Sequence, residues 1–215
     1  MKIVKYITKI LILFIISINV FASDNENKIE INSNAEAFFL RSLDGESIYF
    51  SRELKEGNVI LLSFFATWCI PCNIEIPKIE EISTELTNED FKTFYIHVGK
   101  PKKEGNYKEL IGKMKDRLLM TQPILIDMYS KVAEKYDALA LPTTILIGND
   151  AKIKYVHVGY KKGDEKKLKI EVQKALGILD TISANLLDMI QDSVNTETDI
   201  DTLSDFEKQL LNIEE

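Results

Sequence analysis

The period of the hydrophobic positions changes several times along the chain, and each change marks an element. Phe38, Leu40, Ile48 and Phe50 flank Asp44-Gly45, and an Asp-Gly between alternating apolar residues predicts a β-hairpin. Val59-Ile60-Leu61-Leu62-Ser63-Phe64-Phe65 is an almost unbroken apolar run of strand length, as expected of a strand buried on both faces. Within 70–86, Ile76, Ile79, Ile82 and Leu86 recur as one face of a helix. The pattern then predicts a strand at Phe91–Val98, a helix over about 104–119, a strand at Ile124–Asp127 and a short helix over 129–136. Thr143–Ile147 and Ile153–Val158 read as strands joined through Gly148-Asn149-Asp150, too closely for a crossover, so they pair antiparallel. A last helix starts near Asp164 as N-cap, buries Leu168, Val172, Ala175 and Leu176, and ends at Gly177. Strands alternating with helices predict an α/β fold with a mixed sheet.

Both ends differ from this body. Lys2, Lys5 and Lys9 precede an apolar run from Ile10 to Phe21, and Val20-Phe21-Ala22 resembles a cleavage site before Ser23. That order predicts a secretory signal over 1–22, with an uncleaved N-terminal anchor as the alternative. The run falls short of the about 20 residues of a membrane-spanning helix unless it recruits the basic segment. Residues 23–35 read as a linker, 36–177 as the folded domain, and 178–215 as an acidic tail, helical or partly disordered. In that tail Ile178, Leu179, Ile182, Leu186 and Ile190 have helical spacing, and Ser204-x-x-Glu207 is a capping-box pattern. Asp199 and Asp201 lack the Gly and Glu of a calcium loop.

Charge sharpens this division. The chain carries 27 Lys+Arg against 34 Asp+Glu, a net −7. Ten of the acids and a single lysine fall in 180–215, which leaves 23–179 nearly neutral. Such a balance gives no reason to expect a nucleic-acid partner. Two cysteines exclude a disulfide-stapled scaffold and a Cys-built zinc site, and two histidines argue against a His-built metal centre. His97 and His157 read as structural or surface residues, and Lys100-Pro101-Lys102-Lys103 as a solvated loop.

Both cysteines occur in Trp68-Cys69-Ile70-Pro71-Cys72, where a buried strand gives way to a helix. Two intervening residues at a helix start bring the sulfurs within disulfide reach. The positive helix end favours the Cys69 thiolate, the form that attacks disulfides. Cys72, one turn in and less exposed, can attack a mixed disulfide at Cys69 and release the product. Pro71 stiffens the bridge in the first turn, where its missing N–H matters least. A purely structural bridge over so short a loop would restrain the unfolded chain little. Trp68 offers an apolar wall beside the sulfur. Pro77 removes a helical hydrogen bond to Asn73 and should kink the axis. Pro142 opens a strand, where proline is permitted.

Phe64 to Cys72, followed by Glu75 and Pro77, resembles the thioredoxin-fold thiol–disulfide proteins of the TlpA/ResA type. Leu43-Asp44-Gly45, Gln122-Pro123-Ile124-Leu125-Ile126-Asp127 and Leu141-Pro142-Thr143-Thr144 match the same pattern in order, so the resemblance covers roughly 36–177. It implies a thioredoxin-like fold and a membrane-tethered or secreted reductase of disulfide-containing client proteins, apocytochrome c being a frequent target. It also implies electrons from a membrane thiol-transfer protein and no cofactor beyond the redox-active Cys69–Cys72 disulfide. Cys69 would attack and Cys72 resolve. Trp68, Ile70 and Pro71 would border the client, Pro142 would be a cis proline facing the pair, and the Leu141 backbone would pair with a bound strand.

Cytoplasmic thioredoxins carry a buried aspartate six residues before the first cysteine; here that residue is Ser63, which cannot act as a base. TlpA/ResA-type proteins have a glutamate at the position of Glu75, one turn beyond Cys72. The expectation is that Glu75 is partly buried, with a raised pKa, and either exchanges a proton with the thiol pair or tunes the thiol pKa values by its charge. A peroxidase reading fits poorly, because Thr67 lies two residues before Cys69 rather than three. Two alternatives stay open: an oxidase using the same residues, and a non-catalytic client-binding or assembly factor.

Overall fold

The computed structural model of the chain describes residues 29–86, 90–99 and 106–178. The signal-like segment, the Lys100–Lys103 run and the acidic tail from 179 lie outside the described residues. Among the described residues seven strands are present: β1 (Phe39–Ser42), β2 (Ser47–Tyr49), β3 (Val59–Phe65), β4 (Phe91–Val98), β5 (Ile124–Asp127), β6 (Thr143–Ile147) and β7 (Ile153–Val158). Five helices accompany them in the same described residues: α1 (Phe50–Glu53), α2 (Cys72–Glu85), α3 (Tyr107–Leu118), α4 (Lys131–Lys135) and α5 (Asp164–Ala175). The strands form one sheet in the order β2-β1-β5-β4-β3-β6-β7. β3, β4 and β5 run parallel, while β6, β7, β1 and β2 join antiparallel, so the sheet is mixed as expected.

β3 explains the arrangement. Every one of its residues is buried, because β4 and β6 flank it on either side and packed elements cover both faces of the sheet. Successive side chains of a strand point to opposite faces, and β3 therefore feeds two cores. Val59, Leu61 and Phe65 pack with Ile76, Ile79 and Ile82 of α2 and with Leu168 and Val172 of α5. Ile60, Leu62 and Phe64 pack on the other side with Phe50, Val132 and Tyr136. The apolar face predicted for α2 is the face that is buried.

The hairpin forms at Asp44-Gly45. Gly45 sits at φ +93°, where a side chain would be strained, and Ser42 accepts the Gly45 N–H at 3.0 Å. The alternation stops one residue early, however. Phe50, read as part of the hairpin strand, instead begins the single-turn helix α1, because its ring is fully buried and stacks on Phe38 at 4.2 Å. Residues 32–35, inside the expected linker, are tied to β7. Asn32 N–H donates to Ile153 O at 2.7 Å, Ile153 N–H to Ser33 O at 2.9 Å, and Asn34 forms a bridge with Lys152.

The N-cap expected at Asp164 is not there. Gly163, at φ +108°, holds that position, and Asp164 is the first helical residue. Its carboxylate turns back to accept the Lys161 N–H at 2.7 Å and to meet His157 Nε2 at 2.9 Å. His157 thus has the partner that its sequence neighbourhood concealed. Gly177, at φ +70°, follows α5 as expected. The buried Asp127 accepts the Lys131 and Ala133 N–H groups at 2.9 and 2.8 Å and starts α4.

Ile79 is fully buried between α2 and the sheet. Ile79→Ala should cost about 2–5 kcal/mol through lost burial and a residual cavity. A urea-unfolding midpoint equal to that of the parent protein would contradict this packing.

Candidate active site

β3 delivers the chain to Ala66, and Cys69 N–H then donates to Ala66 O at 3.1 Å, turning it toward α2. Pro71, at φ −64°, is the residue from which the helix departs, and the Ile74 and Glu75 N–H groups donate to its carbonyl at 3.1 Å. Cys69 and Cys72 are disulfide-bonded with 5.3 Å between Cα atoms. The Cys72 N–H points at Cys69 Sγ at 3.3 Å, so the first sulfur does sit at the positive mouth of the helix. The two sulfurs are not equally accessible: Cys69 is 4% exposed and Cys72 0%. The first sulfur is therefore more covered than its position at a helix mouth suggests, because β3 and α2 pack closely around the pair. Its neighbours are open: Trp68 is 54% and Ile70 75% exposed, and Ile74 is exposed too.

Pro77 lies inside α2, which continues through it to Glu85. The Leu141–Pro142 peptide bond is cis. Pro142 is buried at the head of β6, and Leu141 is half-buried against the core that contains both cysteines.

Glu75 is not an ordinary surface glutamate. It is 4% exposed, and its Oε1 accepts the Thr144 hydroxyl at 2.9 Å from β6, the strand next to β3. Its Oε2 is buried without a hydrogen-bond partner among the described residues. Burial pushes its pKa up to about 7; the Thr144 hydrogen bond opposes this, and the Asp164 charge adds to it. Ser63, where a thioredoxin has its aspartate, is fully buried on β3. Burial likewise holds His97 down to about 4, so it is neutral, with its ring edge-on to Phe65 at 5.4 Å.

Three contributors escaped the sequence reading. Thr144 was legible only as a member of the Leu141-Pro142-Thr143-Thr144 pattern, with no role of its own. Asn73 donates from Nδ2 to the Cys69 carbonyl at 3.0 Å, and Arg117 of α3 donates to Asn73 Oδ1 at 2.7 Å, tying the cysteine loop to a helix 44 residues away. No local pattern announces that contact. A hydroxyl residue facing inward from a buried strand was the one available hint for Thr144.

A redox disulfide at a helix mouth, carried beside the central strand of such a sheet, is the working part of a thioredoxin-like thiol–disulfide oxidoreductase. Known proteins agree with that class. The chain belongs to the AhpC/TSA family, which matches residues 31–156. It is 29% identical over 143 residues to the thiol-disulfide oxidoreductase ResA of Geobacillus thermodenitrificans, covering 66% of this chain and 78% of that one. It is also 29% identical over 174 residues to the thioredoxin-like protein YneN of Bacillus subtilis, covering 78% and 98%. Among solved structures, a putative thiol:disulfide interchange protein DsbE from Chlorobium tepidum shares the fold. Its TM-score is 0.61 at 23% identity, over 70% of this chain and 100% of that one. The ResA-type resemblance holds, and the protein is a thiol–disulfide oxidoreductase with the Cys69–Cys72 pair.

Glu75 also makes stability depend on pH. An acid whose pKa is raised by folding stabilises the native state fully below its unfolded value, here 4.5, and loses that contribution as pH rises toward about 7. Oxidised Glu75→Gln lacks this loss. It should equal the parent below pH 4.5 and exceed it by on the order of 3 kcal/mol at pH 8, since each pKa unit is worth about 1.4 kcal/mol. Urea midpoints of both proteins across that range check the sign; parallel curves would exclude a strongly perturbed Glu75.

Proposed function

We propose that the protein reduces disulfides in client proteins outside the cytoplasm, apocytochrome c among them. One observation carries this reading: the Cys72 N–H is directed at Cys69 Sγ while Cys72 itself is fully covered. An attacking sulfur needs stabilisation of its thiolate and some access, whereas a resolving sulfur needs only to reach its neighbour.

The reaction in this reading runs as follows. The Cys69 thiolate attacks a client disulfide, forming a mixed disulfide and expelling one client thiolate, which takes a proton from solvent. Cys72 gives its proton to the Glu75 carboxylate and attacks Cys69 Sγ. The Cys69–Cys72 disulfide closes, and the second client thiolate leaves and is protonated. Two electrons pass to the client. Reduction of the pair by a membrane thiol-transfer protein restores the starting state, and no cofactor besides the disulfide takes part. Glu75 suits its role because its pKa, pushed up to about 7, lies near the operating pH, where a group can both take and return a proton.

The exposed Trp68 and Ile70, with Pro71, offer an apolar surface beside the pair that suits an unfolded client. Leu141 and Pro142, at the head of the neighbouring strand, complete the client site, with the Leu141 backbone pairing to an extended client segment. The basic and apolar order of 1–22 supports export to the outer side of the cytoplasmic membrane.

Direction is decided by the reduction potential of the pair. A reductase should poise near the about −270 mV of a thioredoxin, and a value near the about −120 mV of a strong disulfide donor would reverse the assignment. Cys72→Ser should accumulate mixed disulfides through Cys69, visible on non-reducing gels, and their absence would count against these roles. Glu75→Gln should change the pH dependence of Cys72 alkylation; identical profiles in variant and parent would remove Glu75 from the chemistry.

A further inference from the structure

Beside Glu75 the structure holds a feature that the exchange reaction leaves unused. A small pocket of about 10 Å³ lies between α2, β6, β7 and α5. That is room for about one water molecule. Two buried polar atoms on its lining residues have no hydrogen-bond partner among the described residues: Glu75 Oε2 and Tyr155 Oη. Buried polar atoms are rarely left unpaired, and two of them around one water-sized space call for a shared bridge. The His157–Asp164 pair, with about 29% of each side chain exposed, connects the same pocket to solvent.

We propose that Tyr155 and Asp164 are positioning residues for the exchange reaction. One water in this pocket joins Tyr155 Oη to Glu75 Oε2, and the His157–Asp164 pair at its mouth sets the charge that Glu75 senses. The proposal rests on the use of Glu75 described above and adds what governs its proton.

The chemistry of each group fixes the direction of its effect. Tyr155 stays protonated at working pH, its hydroxyl pushed up to about 12 by burial, so it can donate to the water. The water in turn donates to Glu75 and favours the carboxylate. Asp164 is an anion, held below the usual carboxylate range chiefly by the Lys161 N–H, and its charge disfavours a second anion at Glu75. The remaining titratable groups around the pocket are Lys78 from α2, Tyr160 from the loop after β7, and Glu165 from α5. Tyr160 donates to Glu165 at 2.8 Å, while Lys78 pairs with Glu81 at 2.6 Å, so these three are already engaged. From β4, Tyr95 also feels the Glu75 charge, but its hydroxyl donates to Ile76 O.

The test is the carboxyl titration of Glu75 in the oxidised full-length chain. Side-chain ¹³C NMR follows it between pH 4 and 9, with the resonance assigned by its loss in Glu75→Gln. Tyr155→Phe keeps the ring and removes the donor, so Glu75 should titrate at higher pH. Asp164→Asn removes the anion and should move it to lower pH. Each change should reach about threefold in the ionisation constant, half a pH unit. Opposite displacements are the signature, since general loosening of the fold would move both variants the same way. Titrations equal to the parent's, or displaced in one direction, overturn the proposal. Should Asp164→Asn not fold, Tyr155→Phe decides alone, and an unmoved titration there is sufficient to reject it. Failure of the Glu75 role itself appears separately, as an unchanged Cys72 alkylation profile in Glu75→Gln.

Discussion

A helix can tune a sulfur at its mouth only if helix and sulfur cannot drift apart, and here that rigidity comes from the burial of β3 and α2 against each other. Val59, Leu61 and Phe65 from one side and Ile76, Ile79 and Ile82 from the other leave no slack at the junction where Cys69 and Cys72 lie. The partial positive charge of the first turn acts at short range, so a displacement of a few ångströms would forfeit it. Asn73 reinforces the constraint by gripping the Cys69 carbonyl, and Arg117 extends it to α3. The open side chains of Trp68 and Ile70 beside the pair are therefore mounted on a closely packed frame.

The same packing creates the electrostatics. Glu75 occupies a position one turn beyond Cys72 where its carboxyl is sealed between α2 and β6. One oxygen is satisfied by Thr144, which is too little to stabilise a full charge, and desolvation prevails. The cost of placing an acid there is a protein less stable above neutrality. What it provides is a group that changes protonation in the range where thiols exchange. Ser63 on β3, fully buried and without a carboxyl, leaves Glu75 of α2 as the acid of this cluster. The His157–Asp164 pair and Tyr155 extend the polar cluster from Glu75 out to solvent.

Much of the frame could be read along the chain. The strand bounds of β3 to β7 follow from apolar runs whose ends are set by Gly, Asn, Asp and Pro, and the hairpin follows from Asp44-Gly45. Phe50 and Asp164 show where such reading stops. Phe50 continues the alternation of the hairpin strand, yet stacking on Phe38 draws it into a helical turn. Asp164 has the right identity for a cap, but a glycine that tolerates positive φ stands before it, freeing its carboxylate to reach His157.

By itself the sequence determined the alternation of elements, the doubly buried central strand and the pairing of two sulfurs three residues apart, because each depends on short-range spacing along one backbone. Only the tertiary structure decided how completely Glu75 is sealed in, that Thr144 and Tyr155 line one pocket with it, and that Asn73 and Arg117 brace the cysteine loop. Those facts join residues 44 to 80 positions apart, or depend on how much water several elements together exclude. Desolvation belongs to the assembled packing, and no local pattern encodes it.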